Sequence, residues 1–138
     1  GGDIRVIGPQ PDERPWIVGI RHPRIDGETI ASVAISSGAL ATSGDYERFF
    51  ERDGVRFCHI LNPRNGMPVQ KWQTVTVMAP LCIAAGSYCT IGMLLEDGAR
   101  AFLAGERLPY LLVDQNGRSN GPLARPEEGE VLRVDVTT

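Results

Sequence analysis

Several residue types that often mark a specialised protein are scarce in this sequence. Lys71 is its only lysine, the other basic residues are arginines, and the net charge is −3. A general nucleic-acid binder needs a basic face to contact phosphates, and this charge balance argues against one. The three cysteines are an odd number without the spacing of a disulfide framework, which indicates free thiols.

Long hydrophobic runs are also missing. No apolar stretch approaches the ~20 residues that a transmembrane helix needs, and no secretion signal is recognisable. The 138 residues, 42% hydrophobic and 22% charged, are typical of one globular domain, or a large piece of one, over 1–138. Because the first residues, GGDIRVIG, look like the beginning of a strand, we expect the natural protein to extend upstream.

Strands dominate the predicted secondary structure. Alternating or β-branched apolar residues predict strands over residues 3–7, 16–20, 29–36, 74–78, 110–113 and 131–137. The apolar run LCIAAGSYCTIGMLL is too long for a strand and predicts a buried helix over 81–95, before one further short helix over 98–104. Dominant strands and clustered helices indicate an α+β fold with a mostly antiparallel sheet.

A β-hairpin is predicted around Asp53-Gly54, the strongest two-residue hairpin signal, with strands over 46–52 and 55–61. His59 would then lie near the far end of the second strand, close to the start of the first. The preceding segment, SSGALATSGDY, is not predicted as a strand, and its small residues let a backbone approach another group closely. We expect His59 and this segment to form the wall of a site.

A histidine at the end of a strand has two interpretations. The structural one is the commoner, in which the ring packs where the chain enters a turn. In the functional one, the imidazole accepts or donates a proton near neutral pH. The convergence of His59 with the sequence TSGDYE favours the functional interpretation.

Six segments in a fixed order carry a resemblance to a known family. They are GGD at 1–3, PW at 15–16, TSGDYE at 42–47, HILNPRNG at 59–66, TVTVMAP at 74–80 and a helix that contains Thr90. This order resembles the carboxyl-terminal half of the ApbE family, the FAD:protein FMN transferases once called thiamine biosynthesis lipoproteins. The resemblance extends from Gly1 to about Asp114, and it implies a T-fold-like half-domain.

The resemblance implies a flavin transferase. Such proteins bind FAD and Mg2+, cleave the FAD pyrophosphate, and attach FMN through its phosphate to a Thr or Ser hydroxyl of a partner flavoprotein. AMP is released, and some relatives hydrolyse FAD instead. By the family pattern, Ser43 and Glu47 line the nucleotide site, and His59 and Ile60 contact the cofactor near the reacting phosphates. His59 would be the catalytic residue and Thr90 a metal ligand.

The helix departs from the family pattern at its metal-binding positions. The family carries an aspartate four residues before Thr90 and, in some members, an acidic residue just before it, where this sequence has Gly86 and Cys89. Asn62 and Asn65 likewise stand where the family commonly has Asp and Thr. Because Mg2+ prefers carboxylate oxygen and a thiol is a poor substitute, we expect a nucleotide pocket with a weakened or altered metal site.

Three interpretations remain open from the sequence. The chain is an active transferase, a non-catalytic relative that binds FAD or carries FMN, or a structural relative that keeps only the fold. The expected partners are FAD, a flavin-accepting protein, and either a second copy or an upstream half that covers an exposed sheet edge. The family implies a periplasmic or membrane-anchored location, and three unpaired cysteines are compatible with the cytoplasm as well.

Overall fold

The computed structural model describes residues 2–124, 131–134 and 136. Within them are two helices, α1 (Cys82–Leu95) and α2 (Ala99–Gly105), joined by a 3-10 turn over Glu96–Gly98. The strands of the described residues are β1 (Ile4–Val6), β2 (Trp16–Arg21), β3 (Thr29–Ile35), β4 (Gly38–Gly44), β5 (Phe49–Arg52), β6 (Val55–Cys58), β7 (Trp72–Ala79), β8 (Tyr110–Asp114), β9 (Ser119–Asn120) and β10 (Val131–Arg133).

The strands form three sheets. Five antiparallel strands make the largest, in the order β1-β4-β7-β8-β9. A second sheet has the order β10-β3-β2, with β10 parallel to β3, and β5 and β6 pair as a separate hairpin. The predicted α+β fold with mostly antiparallel sheet is therefore confirmed.

The five-stranded sheet is buried on both of its faces. Every residue of β7 is buried, although alternate side chains point to opposite faces. Val75 and Val77 pack in one core with Cys89 of α1, whereas Met78 packs in a second core with Ile20 of β2. The helices therefore cover one face of the sheet, and the three-stranded sheet covers the other.

The segment SSGALATSGDY contains a strand, which the sequence-based expectation missed. Residues Gly38–Gly44 form β4, which pairs with β1 on one side and β7 on the other. Its small side chains permit a close helix contact, because Ala39 and Ala41 lie in the core under α1. The Cys89 thiol donates a hydrogen bond to the Ala41 carbonyl at 3.0 Å. Close approach was the correct expectation, but the segment is a strand and the element that approaches it is α1.

The predicted hairpin is present, with shorter strands than expected. Asp53 and Gly54 have φ angles of 51° and 75°, the left-handed conformation that a tight hairpin turn requires. Because β6 ends at Cys58, His59 follows the strand instead of lying within it. Of the predicted strand over 131–137, residues Val131–Arg133 form β10, and residues 135, 137 and 138 lie outside the described residues.

Helix α1 begins and ends close to its predicted bounds, but only one of its faces is buried. Ala85, Cys89, Gly92 and Met93 are buried, whereas Ile83 on the opposite side is 78% exposed. With 14 residues α1 is the longest helix of the described chain, and none of the described helices is long and apolar enough to cross a membrane.

Candidate functional site

The residues that the sequence assigns to a site lie around one cavity of about 460 Å3 at the end of β4. Three parts of the chain supply them: the end of β4 with the residues after it, the segment that follows β6, and α1. The five predicted residues that line this cavity are Ser43, Glu47, His59, Ile60 and Thr90. We call it the β4 cavity.

Ser43 of β4 and Thr90 of α1 lie next to each other in the wall of the β4 cavity. Ser43 Oγ lies 3.4 Å from Thr90 Oγ1. Thr90 Oγ1 also donates a hydrogen bond to the Gly86 carbonyl one helical turn earlier, at 3.1 Å. Because that bond uses the single hydroxyl proton of Thr90, its oxygen is left to accept, while Ser43 remains able to donate.

The His59 ring is held by the residue that precedes β5. His59 N donates to the Arg48 carbonyl at 3.0 Å, and His59 Nδ1 lies 3.2 Å from the same oxygen. A carbonyl oxygen only accepts, so this second bond places a proton on Nδ1 and leaves the lone pair of the neutral ring on Nε2. The ring is exposed, whereas Cys58 beside it is buried.

Glu47 and Ile60 give the β4 cavity a charged rim and an apolar wall. Glu47 Oε1 forms an ion pair with Arg21 Nη1 at 3.2 Å, and both side chains are more than half exposed, so the pair contributes little to stability. Ile60 is half-buried and packs against the core beneath α1. Its carbonyl accepts a hydrogen bond from Val69 N at 3.0 Å.

Asp45 lies inside the TSGDYE motif but points away from the β4 cavity. It is 3% exposed, and Arg24 donates two hydrogen bonds to its carboxylate, at 2.6 and 2.7 Å. Gln115 Nε2 donates a third at 3.3 Å, and Arg56 of the hairpin lies 3.8 Å away. This cluster ties the end of β4 to the hairpin and to two loops, so it fixes the segment that carries Glu47.

A second cavity of about 550 Å3 lies next to the β4 cavity and shares Thr42, Gly44, Glu47 and Arg48 with it. Tyr46 lines this second cavity, and the Arg21 guanidinium lies 5.6 Å from the centre of its ring. Burial raises the pKa of Tyr46, so the phenol keeps its proton at neutral pH.

Sequence reasoning missed Arg21, Tyr46 and Arg48 as residues of these cavities. The signal for two of them was available, since Tyr46 lies in the TSGDYE motif and Arg48 directly follows it. Arg21 carried no such signal, because it reaches the cavity from β2.

The residues around Thr90 supply few of the donors that Mg2+ prefers. One carboxylate, that of Asp3 just before β1, approaches Gly86. A Cβ added at Gly86 would lie 3.8 Å from Asp3 Oδ2. Burial raises the pKa of Cys89 to about 12, so it is a neutral thiol and a poor ligand. No three His, Cys, Asp or Glu side chains in the described part of the chain are arranged to hold a metal. The magnesium site expected from the family does not fit this donor set.

Comparison with known proteins points to one family. The FAD:protein FMN transferases of Vibrio cholerae and Haemophilus influenzae are each 36% identical to this chain over 117 residues, which is 82% of the chain. The solved structure of the ApbE protein of Thermotoga maritima matches with a TM-score of 0.81 and 34% identity, over 91% of this chain and 43% of that one. The flavin transferase ApbE of Vibrio cholerae matches with a TM-score of 0.71 and 31% identity, over 88% and 40%.

These relatives are longer proteins. The chain spans 35% of the Vibrio cholerae relative and 34% of the Haemophilus influenzae one, about a third of each. The sequence profile of the ApbE family matches residues 1–112, which is most of this chain. Sequence, fold and profile agree, and the chain belongs to the ApbE family, whose named relatives here are flavin transferases.

Proposed function

We propose that the β4 cavity binds FAD and takes part in transferring FMN from FAD to a Thr or Ser hydroxyl of a partner flavoprotein, with release of AMP. The observation that carries this proposal is the convergence of Ser43, His59 and Thr90, from three separate parts of the chain, on one cavity. The names of the relatives, FAD:protein FMN transferase, support the same substrates. An upstream half or a second copy of the chain would close the exposed side of the cavity.

The proposed reaction assigns a task to two polar residues of the β4 cavity, His59 and Ser43. The acceptor hydroxyl attacks the FMN phosphorus, a new phosphorus–oxygen bond forms, and the bond to the bridging oxygen breaks so that AMP leaves. His59 Nε2 takes the hydroxyl proton, because Nδ1 is engaged with the Arg48 carbonyl. Ser43, as a hydrogen-bond donor, would stabilise charge that develops on the phosphoryl oxygens. No step is assigned to Mg2+, because Gly86 and Cys89 stand where the family has carboxylates.

The experiment that tests this proposal compares the two histidines of the chain. The protein is incubated with FAD and MgCl2, AMP is quantified by chromatography, and flavin attached to proteins of a bacterial lysate is read by in-gel fluorescence. His59→Gln should reduce AMP release by about 100-fold or more, the usual contribution of a general base.

His22→Asn is the matched control for His59→Gln. His22 Nδ1 accepts hydrogen bonds from Arg24 N and Ile25 N, both at 3.1 Å, and an asparagine oxygen can still accept them. His22 lines neither cavity, so its variant should keep the wild-type rate. Equal rates for the two variants would reject the role proposed for His59.

A second candidate function is a flavin-binding relative that does not turn FAD over. The observation that favours it is the pair Gly86 and Cys89, which replaces the carboxylates expected beside Thr90. The same incubation separates the two functions. Bound FAD with AMP release supports the transferase, bound FAD without AMP supports the binding protein, and absence of FAD binding rejects both.

A further inference from the structure

Arg48 stands where the two cavities meet. It lines both the β4 cavity and the larger cavity next to it, and its side chain is exposed. No carboxylate of the described residues lies within 4 Å of its guanidinium. The backbone carbonyl of Arg48 accepts both hydrogen bonds of His59, so the same residue carries the guanidinium and orients the imidazole.

The charges that line the two cavities leave a net positive site at this junction. Glu47 is their one carboxylate, and it already pairs with Arg21 at 3.2 Å. Arg21 is further engaged by Asp26 at 3.1 Å. Arg48 is therefore the cation of the two neighbouring cavities that has no described carboxylate within 4 Å. A guanidinium is well suited to bind phosphate oxygens with two parallel hydrogen bonds.

We propose that Arg48 binds the pyrophosphate of FAD. Its guanidinium provides the positive charge that a metal ion bound at helix α1 would otherwise provide. This inference rests on the proposed function and names the group that recognises its substrate. FAD has a bulky ring system at each end and a pyrophosphate between them. Two adjoining cavities, of about 550 and 460 Å3, accept one end each, and the linking phosphates then pass the shared rim at Arg48.

If Arg48 binds the pyrophosphate, FAD binding depends on the Arg48 side chain and not on a divalent cation. Gly86 offers no ligand, and the neutral thiol of Cys89 is bonded to the Ala41 carbonyl. Chelation of divalent cations should therefore leave the affinity for FAD unchanged. Removal of the guanidinium should lower it, because the phosphate charge then has no partner at the rim.

The test measures FAD and riboflavin binding to the purified protein by fluorescence titration, once with excess EDTA and once with excess MgCl2. Riboflavin carries the flavin ring system without any phosphate, so it reports whether the ring cavity is intact. Arg48→Gln is compared with Arg52→Gln on the same hairpin. Arg52 is 80% exposed, faces Asp53 at 3.6 Å and lines neither cavity.

The proposal predicts that Arg48→Gln weakens FAD binding at least tenfold in EDTA, while riboflavin binding stays within twofold and Arg52→Gln behaves as wild type. It is overturned if Arg48→Gln leaves FAD affinity within twofold, if riboflavin is weakened as much as FAD, or if EDTA abolishes FAD binding to the wild type. In each of those cases wild-type FAD binding still supports the proposed function. A wild-type protein that binds no FAD under either condition rejects both.

Discussion

Ser43 Oγ on β4 lies 3.4 Å from Thr90 Oγ1 on α1, although 47 residues separate them in the sequence. The contact exists because the small side chains of β4 let α1 pack directly over the strand. Ala41, two residues before Ser43 on β4, and Cys89, one residue before Thr90 on α1, make the adjacent buried contact at 3.0 Å. The two hydroxyls therefore meet where the core opens into the β4 cavity.

Replacing Thr90 with valine removes the hydroxyl and keeps the shape of the side chain. Because residue 90 is exposed, we expect the free energy of unfolding in urea to change by less than about 0.5 kcal/mol. FAD affinity should fall by up to about tenfold, because Ser43 Oγ, which faces the phosphates in the proposed function, loses the hydroxyl that lies 3.4 Å from it and helps to hold it in place. Ser87→Ala, on an exposed position of the same helix, is the control. If the two variants bind FAD equally well, Thr90 does not help to position Ser43 for the nucleotide.

Replacing Asp45 with asparagine should destabilise the fold. Asp45 is 3% exposed and its carboxylate accepts two short hydrogen bonds from Arg24, so the change leaves Arg24 without its anion, whereas Arg56 keeps its ion pair with Glu51 at 3.0 Å. Loss of one partner of a buried ion pair costs about 3 kcal/mol, measured as the free energy of unfolding in urea. Asp26→Asn breaks an ion pair whose carboxylate is 95% exposed and should cost less than about 1 kcal/mol. Equal costs would contradict this description of the Asp45 cluster.

Replacing Gly86 with alanine should stabilise the protein. Glycine within a helix is less favourable than alanine by about 1 kcal/mol, and the added Cβ meets only Asp3 Oδ2 at an ordinary 3.8 Å. At Gly92 the same change places the Cβ 3.0 Å from Val75 Cγ1 in the core, so we expect no gain there. The melting temperature distinguishes the two variants, and a Gly86→Ala protein that melts below wild type would contradict the open space described at residue 86.

Cys89 should make stability depend on pH in the alkaline range. Burial raises its pKa from an ordinary 9.0 to about 12, so the unfolded chain loses this proton first as pH rises. The stability is complete below pH 9 and falls between pH 9 and about 12, by about 1.4 kcal/mol per pH unit where only the unfolded thiol is ionised.

Urea unfolding at pH 8 and pH 10.5 measures this dependence. Cys89→Ala should remove the Cys89 part of the difference between the two pH values, whereas Cys82→Ala should retain it. A difference that survives unchanged in Cys89→Ala would show that other groups cause the alkaline loss of stability.

Local patterns in the sequence predicted the hairpin and the principal helix. Asp53-Gly54 encodes its turn in two residues, because both adopt positive φ. The apolar run over 81–95 exceeds the length of a strand, so its helical state follows from length alone. The predicted site residues line one cavity for a related reason, since the hairpin returns the chain from Arg48 to His59.

Other features depend on contacts between distant residues and left no local signal. β4 has small and polar side chains that resemble a loop, and it is a strand because β1 and β7 pair with both of its edges. Arg24 and Asp45 are 21 residues apart, and no spacing rule connects them. The exposed side of α1, with Ile83 at its surface, cannot be told from the buried side because both are apolar.

The most direct test of a flavin nucleotide site at the end of β4 is the titration of FAD into 15N-labelled protein, followed by the backbone amide resonances. We expect the amides that line the β4 cavity to shift, above all those of Ser43, Arg48, His59 and Thr90, while the amides of the core beneath α1 stay in place. An unchanged spectrum at saturating FAD, or shifts confined to another surface such as the groove between β1 and β2, would contradict the site.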